Sequence, residues 1–376
     1  MTADRFFHKA SELKNRARYK DALLLFKRAK RAYEKDNITE GRLRCFMSIG
    51  DVYRMTGKFE LAGKNYSESI KISRKLKDRT AAADAAVGLG LSVRGLGRWK
   101  EALEMFSGAE KVYREKKDSE GMAFVLWAKG GAFRIKGDAA DSLKSFKKSL
   151  RLFRTLGDKH AIGYNLCGLG GVSRVAGLFS DSFKYYTAAN KLFSELNDTF
   201  GIAYSHCGIG NALRMKADYS GALMHFRKAT TLYRRIGDIV SFSYTLWSLG
   251  KTYTMLGKLD KAMDYFKQSC GFFKKTKDPR GIIYCKLGMG EIEFLRGRIS
   301  SALVNLKSAF RDSLSNGFSV EKCHAVALLS FVNPVRKLGR GFLSNGVNKN
   351  NGKIGNRCYN KLGLKLKFQS IPFNIP

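Results

Sequence analysis

The sequence predicts an all-α solenoid of eight helix–turn–helix units in tandem, closed by a C-terminal capping helix. Three rows of residues carry that prediction. Gly50, Gly90, Gly130, Gly170, Gly210, Gly250 and Gly290 fall forty residues apart without a slip. A bulky apolar row keeps the same phase: Phe26, Tyr66, Phe106, Phe146, Tyr186, Phe226, Phe266 and Leu306. A third row, Ala29, Ser69, Ala109, Ser149, Ala189, Ala229, Ser269 and Ala309, is small throughout. Eight units of forty fill residues 1–320, with Ala10 in the first unit's glycine slot.

Each unit reads as two helices. In the second unit Phe46, Ile49, Gly50 and Tyr53 follow the spacing of one helical face. Gly57 and its equivalents Gly97, Gly137, Gly177, Ala217, Gly257 and Gly297 then stand where a helix end wants a residue tolerant of positive φ. The second helix presents Ala62, Tyr66 and Ser69 together. Asp78, Asp118, Asp158, Asp198, Asp238 and Asp278 precede the next first helix, where a carboxylate accepts orphan backbone N–H bonds worth about 1 kcal/mol per cap. Small residues belong at crossings because helices that approach to roughly 8–10 Å leave no room for a large side chain there.

This register resembles the tetratricopeptide repeat: Ile49-Gly50, Tyr53, Ala62, Tyr66 and Ser69 stand at its Leu-Gly, Tyr, Ala, Phe and Ala positions. The forty-residue period is similar to the long-repeat subgroup that includes spindle-orientation adaptors, kinesin light chains and bacterial regulators. Each unit is six residues longer than the common form and lacks its closing proline. The resemblance implies a right-handed superhelix with a concave groove lined by the first helix of each unit. It leaves function open, because this solenoid serves many unrelated partners.

Residues 321–332 read as the last helix, covering the open end of the stack, so the solenoid spans 1–332. Beyond it, residues 333–376 hold nine Lys/Arg, no acidic residue, eight Asn, six Gly and three of the four prolines. That composition reads as a flexible basic tail. Its abrupt onset is also that of a shifted reading frame or an eroded end.

Composition removes several classes. An apolar content of 44% supports a globular core, and no apolar run approaches the roughly 18 residues of a membrane-spanning helix. Charges break up Met1 to Lys20, so no secretory signal is expected. Seven cysteines, an odd number without a CxxC pair, point to a reducing compartment, hence to the cytoplasm.

A second stripe lies on the first helix, at positions 44, 47, 51 and 54 of the second unit. The resemblance places this stripe in the groove. Across units, position 54 carries Arg54, Arg94, Arg134, Arg174 and Arg214, then Thr254 and Phe294. Positions 44 and 47 contribute Phe124, Trp127, Tyr164, Tyr204, Tyr244, Trp247 and Tyr284. The arginine row has two readings. It is a ladder for carboxylates or phosphates along an extended chain, or it is inherited by repeat copying and fills space against aromatic rings. Repulsion does not decide, since exposed like charges about 10 Å apart repel by only roughly 0.4 kcal/mol in water.

The formal net charge is +37, of which +28 precedes Asn333. Exposed basic residues on the second helices, such as Lys147, Lys148, Arg151, Arg234 and Arg235, would suit nucleic acid or an anionic surface, or form a merely solvated face. Catalytic motifs fail on placement. Gly250-Lys251-Thr252 lacks the first glycine of a phosphate-binding loop and lies inside a helix. The Gly-x-Gly pairs at 88–90, 168–170, 208–210 and 288–290 recur with the repeat and read as packing. His206-Cys207 and Cys323-His324 lack further spaced metal ligands. Cys167 and Cys207, one repeat apart, are too distant for a disulfide. The expectation is therefore a protein that is not an enzyme and has no cofactor or metal. It would hold an acidic peptide or protein segment in its groove, with nucleic-acid or anionic-surface binding as the alternative.

Overall fold

A computed structural model of the chain describes residues 2–338 and 351–376, and these contain eighteen helices and no strand. The first four repeats are α1 (Ala3–Asn15) with α2 (Tyr19–Lys35), α3 (Thr39–Met55) with α4 (Phe59–Lys75), α5 (Arg79–Gly95) with α6 (Trp99–Glu115), and α7 (Ser119–Lys136) with α8 (Ala139–Leu156). The next four are α9 (Lys159–Val175) with α10 (Phe179–Glu195), α11 (Thr199–Met215) with α12 (Tyr219–Ile236), α13 (Ile239–Met255) with α14 (Leu259–Thr276), and α15 (Pro279–Leu295) with α16 (Ile299–Ser315). The cap α17 (Ser319–Leu338) follows, and then α18 (Asn351–Lys361). The first helix of each pair is called A and the second B.

The rows seen in the sequence interlock. Each bulky B-helix residue is buried, and Tyr66, Phe146, Tyr186 and Phe266 each fill hollows left by two glycines, one on their own A helix and one on the next. Phe266, for example, sits so close to Gly250 and Gly288 that a Cβ at either would lie 2.7 or 2.6 Å from its ring. In each recurrent Gly-x-Gly pair the first glycine meets the bulky residue of the preceding repeat and the second that of its own. Removing such a ring costs about 3–5 kcal/mol. Six A helices begin on an aspartate that accepts a backbone N–H: Asp78 from Ala81, Asp118 from Gly121, Asp158 from Ala161, Asp198 from Gly201, Asp238 from Ser241 and Asp278 from Gly281.

The solenoid winds until successive turns touch. The α3–α4 turn at Gly57 meets Val240 and Thr276, the α5–α6 turn at Gly97 meets Pro279 and Phe318, and the α7–α8 turn at Gly137 meets Ser319 and Val320. Each contact therefore spans ten helices. Lys277 Nζ pairs with Glu60 at 2.7 Å, and the Trp99 indole donates to the Asn316 carbonyl at 3.2 Å across the same seam. Gly97 and Gly137 have φ of +81° and +91°, so position and crowding both exclude a side chain there. Tyr19 and Ala22 of α2 pack in one apolar cluster with Tyr233 and Ile236 of α12.

The C-terminal region differs from the flexible tail expected over 333–376. The capping helix runs past position 332 to Leu338, residues 339–350 lie outside the described residues, and 351–376 form α18 and an extended segment. Tyr359, Leu364, Leu366, Phe368, Phe373 and Ile375 are buried in the main core cluster. A polar, glycine-rich composition usually cannot bury enough apolar surface to offset ordering, but here the apolar residues alternate and find a ready-made lining. The expectation of reduced thiols also changes, because Cys323 of α17 and Cys358 of α18 form a disulfide with Cα atoms 5.4 Å apart. The other five cysteines, Cys167 and Cys207 included, are free. Among the described residues no helix is long and apolar enough to cross a membrane.

Candidate binding groove

Neighbouring repeats meet where the B helix of one packs against the A helix of the next, and successive A helices also come close to one another, as α9 does to α11 and α13 to α15. The A face carrying positions 44, 47, 51 and 54 is thus the inner one, and the extended C-terminal segment touches it at Arg214 and Glu291.

The arginine row divides into three parts. Arg54 is held by Asp51 at 3.7 Å and by the Tyr66 hydroxyl at 3.4 Å. Arg94 donates to the Ala128 carbonyl at 3.2 Å and lies over the Trp127 ring, 5.7 Å from its centroid. Arg134 and Arg174 are half-buried, and their Nε atoms are buried without an acceptor. Neither makes a hydrogen bond or ion pair among the described residues. Burial depresses the Arg94 pKa, with Arg134 and Arg54 adding to the effect. Burial likewise depresses that of Arg214, followed by Arg174. The row is therefore a run of neighbouring positive charges on a partly desolvated inner face, with Asp51 beside its first member.

Arg214 ends the row differently. It is fully buried, lies over Trp247, and is spoken for: Nη1 donates to the Asn374 amide oxygen and Nη2 to the Ile375 carbonyl at 2.8 Å. The Asn374 amide nitrogen donates back to the Arg214 carbonyl at 2.8 Å.

The aromatic rows also divide. Phe124 and Trp127 stack at 5.7 Å, and Phe124 is exposed. Tyr204 stacks on Phe200 at 6.2 Å. Tyr164 and Tyr244 instead brace the frame, each donating its hydroxyl at 2.8 Å to a capping aspartate, Asp198 and Asp278. Trp247 and Tyr284 are buried, and the Trp247 indole donates to the Tyr284 carbonyl at 2.9 Å.

Several interior residues were missed by the sequence reading. Position 51 runs Asp51, Leu91, Gly131, Gly171, Asn211, Lys251 and Glu291, one helical turn before the arginines. A side chain at Gly131 or Gly171 would strike the guanidinium of Arg94 or Arg134. Lys251, set aside above as a false phosphate-loop residue, forms a fully buried ion pair with Glu291, whose other oxygen accepts the Phe373 N–H. Arg280 pairs with buried Glu321 at 2.7 Å. The fully buried His324 shares a 2.7 Å hydrogen bond with the Tyr359 hydroxyl. The available signal was opposite charge at equivalent positions of adjacent repeats, Lys251 with Glu291.

Paired helices in forty-residue phase, with small and bulky positions interlocked around an inner A-helix face, define a tetratricopeptide-repeat solenoid. Two stretches of the chain are also matched by this repeat in sequence. Profiles described as tetratricopeptide repeat match residues 43–115 and 244–274. Among solved structures, the Rap conjugation gene regulator of plasmid pLS20 in complex with the Phr* peptide is similar at TM-score 0.63 and 12% identity, covering 84% of this chain and 95% of that one. A Rap protein complexed with competence and sporulation factor is similar at TM-score 0.59 and 12% identity, covering 89% and 98%. The apo form of RapI reaches TM-score 0.55 at 13% identity, covering 73% and 98%. No curated protein matches the chain by sequence.

Proposed function

We propose that the protein is a non-catalytic, cytoplasmic scaffold whose interior holds an extended acidic peptide or protein segment. Arg94, Arg134 and Arg174 would take its carboxylates, with Arg54 and Arg214 at either end. The observation that carries this reading is the state of Arg134 and Arg174, whose buried Nε donors have no acceptor. Burying a polar donor without an acceptor is unfavourable, and crowding guanidinium groups in low dielectric adds to that. An anion threaded along the row relieves both at once, each arginine offering a bidentate, charge-assisted contact. The exposed Phe124–Trp127 stack and the Phe200–Tyr204 stack would receive apolar anchors beside the charges. Two of the similar solenoids were solved with a peptide or a factor bound, and this supports a peptide as the class of ligand.

The test is a calorimetric titration with a decapeptide rich in Asp and Glu. The Arg134→Glu/Arg174→Glu variant should bind about a hundredfold more weakly than wild type, as expected when two charge-assisted contacts become repulsive. Equal affinity in the two proteins would remove the ladder from the account. If that equal affinity also collapsed with salt, it would point to the outer basic face.

A further inference from the structure

The floor of the groove's C-terminal half is built from charged groups that a solenoid would normally leave to water. Lys251, Glu291, Glu321 and Arg214 are instead completely buried, and residues 373–375 contact Glu291 and Arg214 directly. The contacts are those of a bound peptide. Glu291 accepts a backbone N–H from Phe373, Arg214 donates to the Ile375 carbonyl, and Asn374 meets Arg214 through both ends of its amide. Upstream, the Lys365 N–H donates to the Ala176 carbonyl at 2.8 Å. Between these polar anchors Phe368 meets Phe331 edge-on at 4.6 Å and Phe373 at 4.4 Å. Recognition through backbone groups, one amide and alternate apolar side chains is how an extended ligand is read. Covalently, the segment is held beside its site by Cys323–Cys358, close to where the extended stretch begins.

From this we infer that residues 364–376 are a built-in ligand of the interior, and that the Cys323–Cys358 disulfide controls whether a separate peptide can replace them. The site takes an extended apolar peptide with aromatic side chains and a primary amide positioned for Arg214. The inference rests on the reading of the interior as a peptide site, but it concerns the C-terminal half of the groove and a ligand motif without acidic residues. With the disulfide intact, the segment stays at high effective concentration and a competitor is outmatched. Cys323 is buried, whereas Cys358 is half-buried and lines a surface cleft with Lys322, Arg357 and Lys361. A dithiol reductant enters there. One of its thiolates attacks the Cys358 sulfur, the S–S bond breaks, and Cys323 leaves as a thiolate that takes a proton. The reductant's second thiol then resolves the mixed disulfide, freeing Cys358 as a thiol. Two electrons have passed to the protein, and the reductant departs as its own disulfide.

The experiment uses full-length protein and a fluorescein-labelled synthetic peptide of residues 362–376, followed by anisotropy. Reduction with dithiothreitol should raise the affinity of the wild-type chain at least tenfold. The full-length Phe373→Ala/Asn374→Ala variant, with its own segment weakened, should bind tighter still when reduced. Equal affinity before and after reduction, or no binding to the reduced variant, overturns the inference. Hydrogen exchange on the wild-type chain gives a readout independent of any substitution: amides of 364–375 should exchange at least tenfold faster after reduction, and unchanged exchange overturns it equally. Because the probe carries no acidic residue, failure of the acidic decapeptide to bind does not alter either result.

Discussion

The guanidinium of Arg134 occupies the space that a side chain at Gly171 would need: a Cβ built there would lie 2.5 Å from Nη1. The A helix of one repeat thus makes room for the arginine of the repeat before, which keeps that arginine extended along the channel. A Gly171→Val substitution should leave the fold intact, because the group it strikes is the far end of a flexible side chain. It should still weaken the acidic decapeptide about tenfold by turning Arg134 aside. Matched thermal unfolding curves together with a calorimetric titration check both halves.

Glycines of the ring clasp behave oppositely. A Cβ on Gly208 would overlap the ring of Tyr186, which is itself pinned from the other side by Gly170. Gly208→Ala should therefore destabilise by about 1–3 kcal/mol, the usual result of overpacking a filled core. Urea unfolding of Gly208→Ala beside Gly171→Val would show which glycines serve packing and which serve the groove.

The Lys251–Glu291 pair is fully buried. Lys251→Met alone leaves Glu291 as a buried charge without its partner and should cost about 3–5 kcal/mol, whereas Lys251→Met/Glu291→Gln should recover most of that loss. Glutamine keeps an acceptor for the Phe373 N–H. A double-mutant cycle by urea unfolding reads the coupling.

Acid should loosen the C-terminal packing through His324. Burial lowers its pKa to about 4, with Arg280 of α15, Lys251 of α13 and Arg174 of α9 adding to the effect, while Glu321 of α17 opposes it. Tyr284 of α15 and Tyr359 of α18 complete its surroundings. A histidine depressed in the folded state contributes stability that is fully present above its ordinary pKa near 6.5 and lost as pH falls toward 4. Asp238, raised to about 6 by burial, acts in the opposite sense over part of the same window, so the variant comparison isolates His324. Between pH 7 and pH 5 wild type should lose about 2 kcal/mol more than His324→Gln. Equal losses by urea unfolding would contradict this.

Much of the fold was legible because repetition averages over local ambiguity. Gly50 alone says little, but seven glycines in one phase beside eight bulky partners leave one arrangement that packs. The inner stripe at positions 44, 47 and 54 was legible for the same reason. Position 51 carried no common residue to draw the eye, since a charge, a leucine, two glycines and an asparagine precede Lys251 and Glu291. The C-terminal segment was masked by its composition. Its signal was local: Leu364, Leu366 and Phe368 alternate with lysines, as do Ile371, Phe373 and Ile375 with other residues, the period of an extended strand. What that extended segment contacts is a surface assembled from three repeats and the capping helix, at Ala176, Arg214, Glu291 and Phe331, and no local pattern encodes it.

Where the partner lies is the direct question, and photo-crosslinking with mass spectrometry answers it. The acidic decapeptide, carrying a benzophenone, should attach to A-helix residues between Phe124 and Arg174. Attachment instead to B-helix residues such as Lys147, Lys148 or Arg151 would contradict the account.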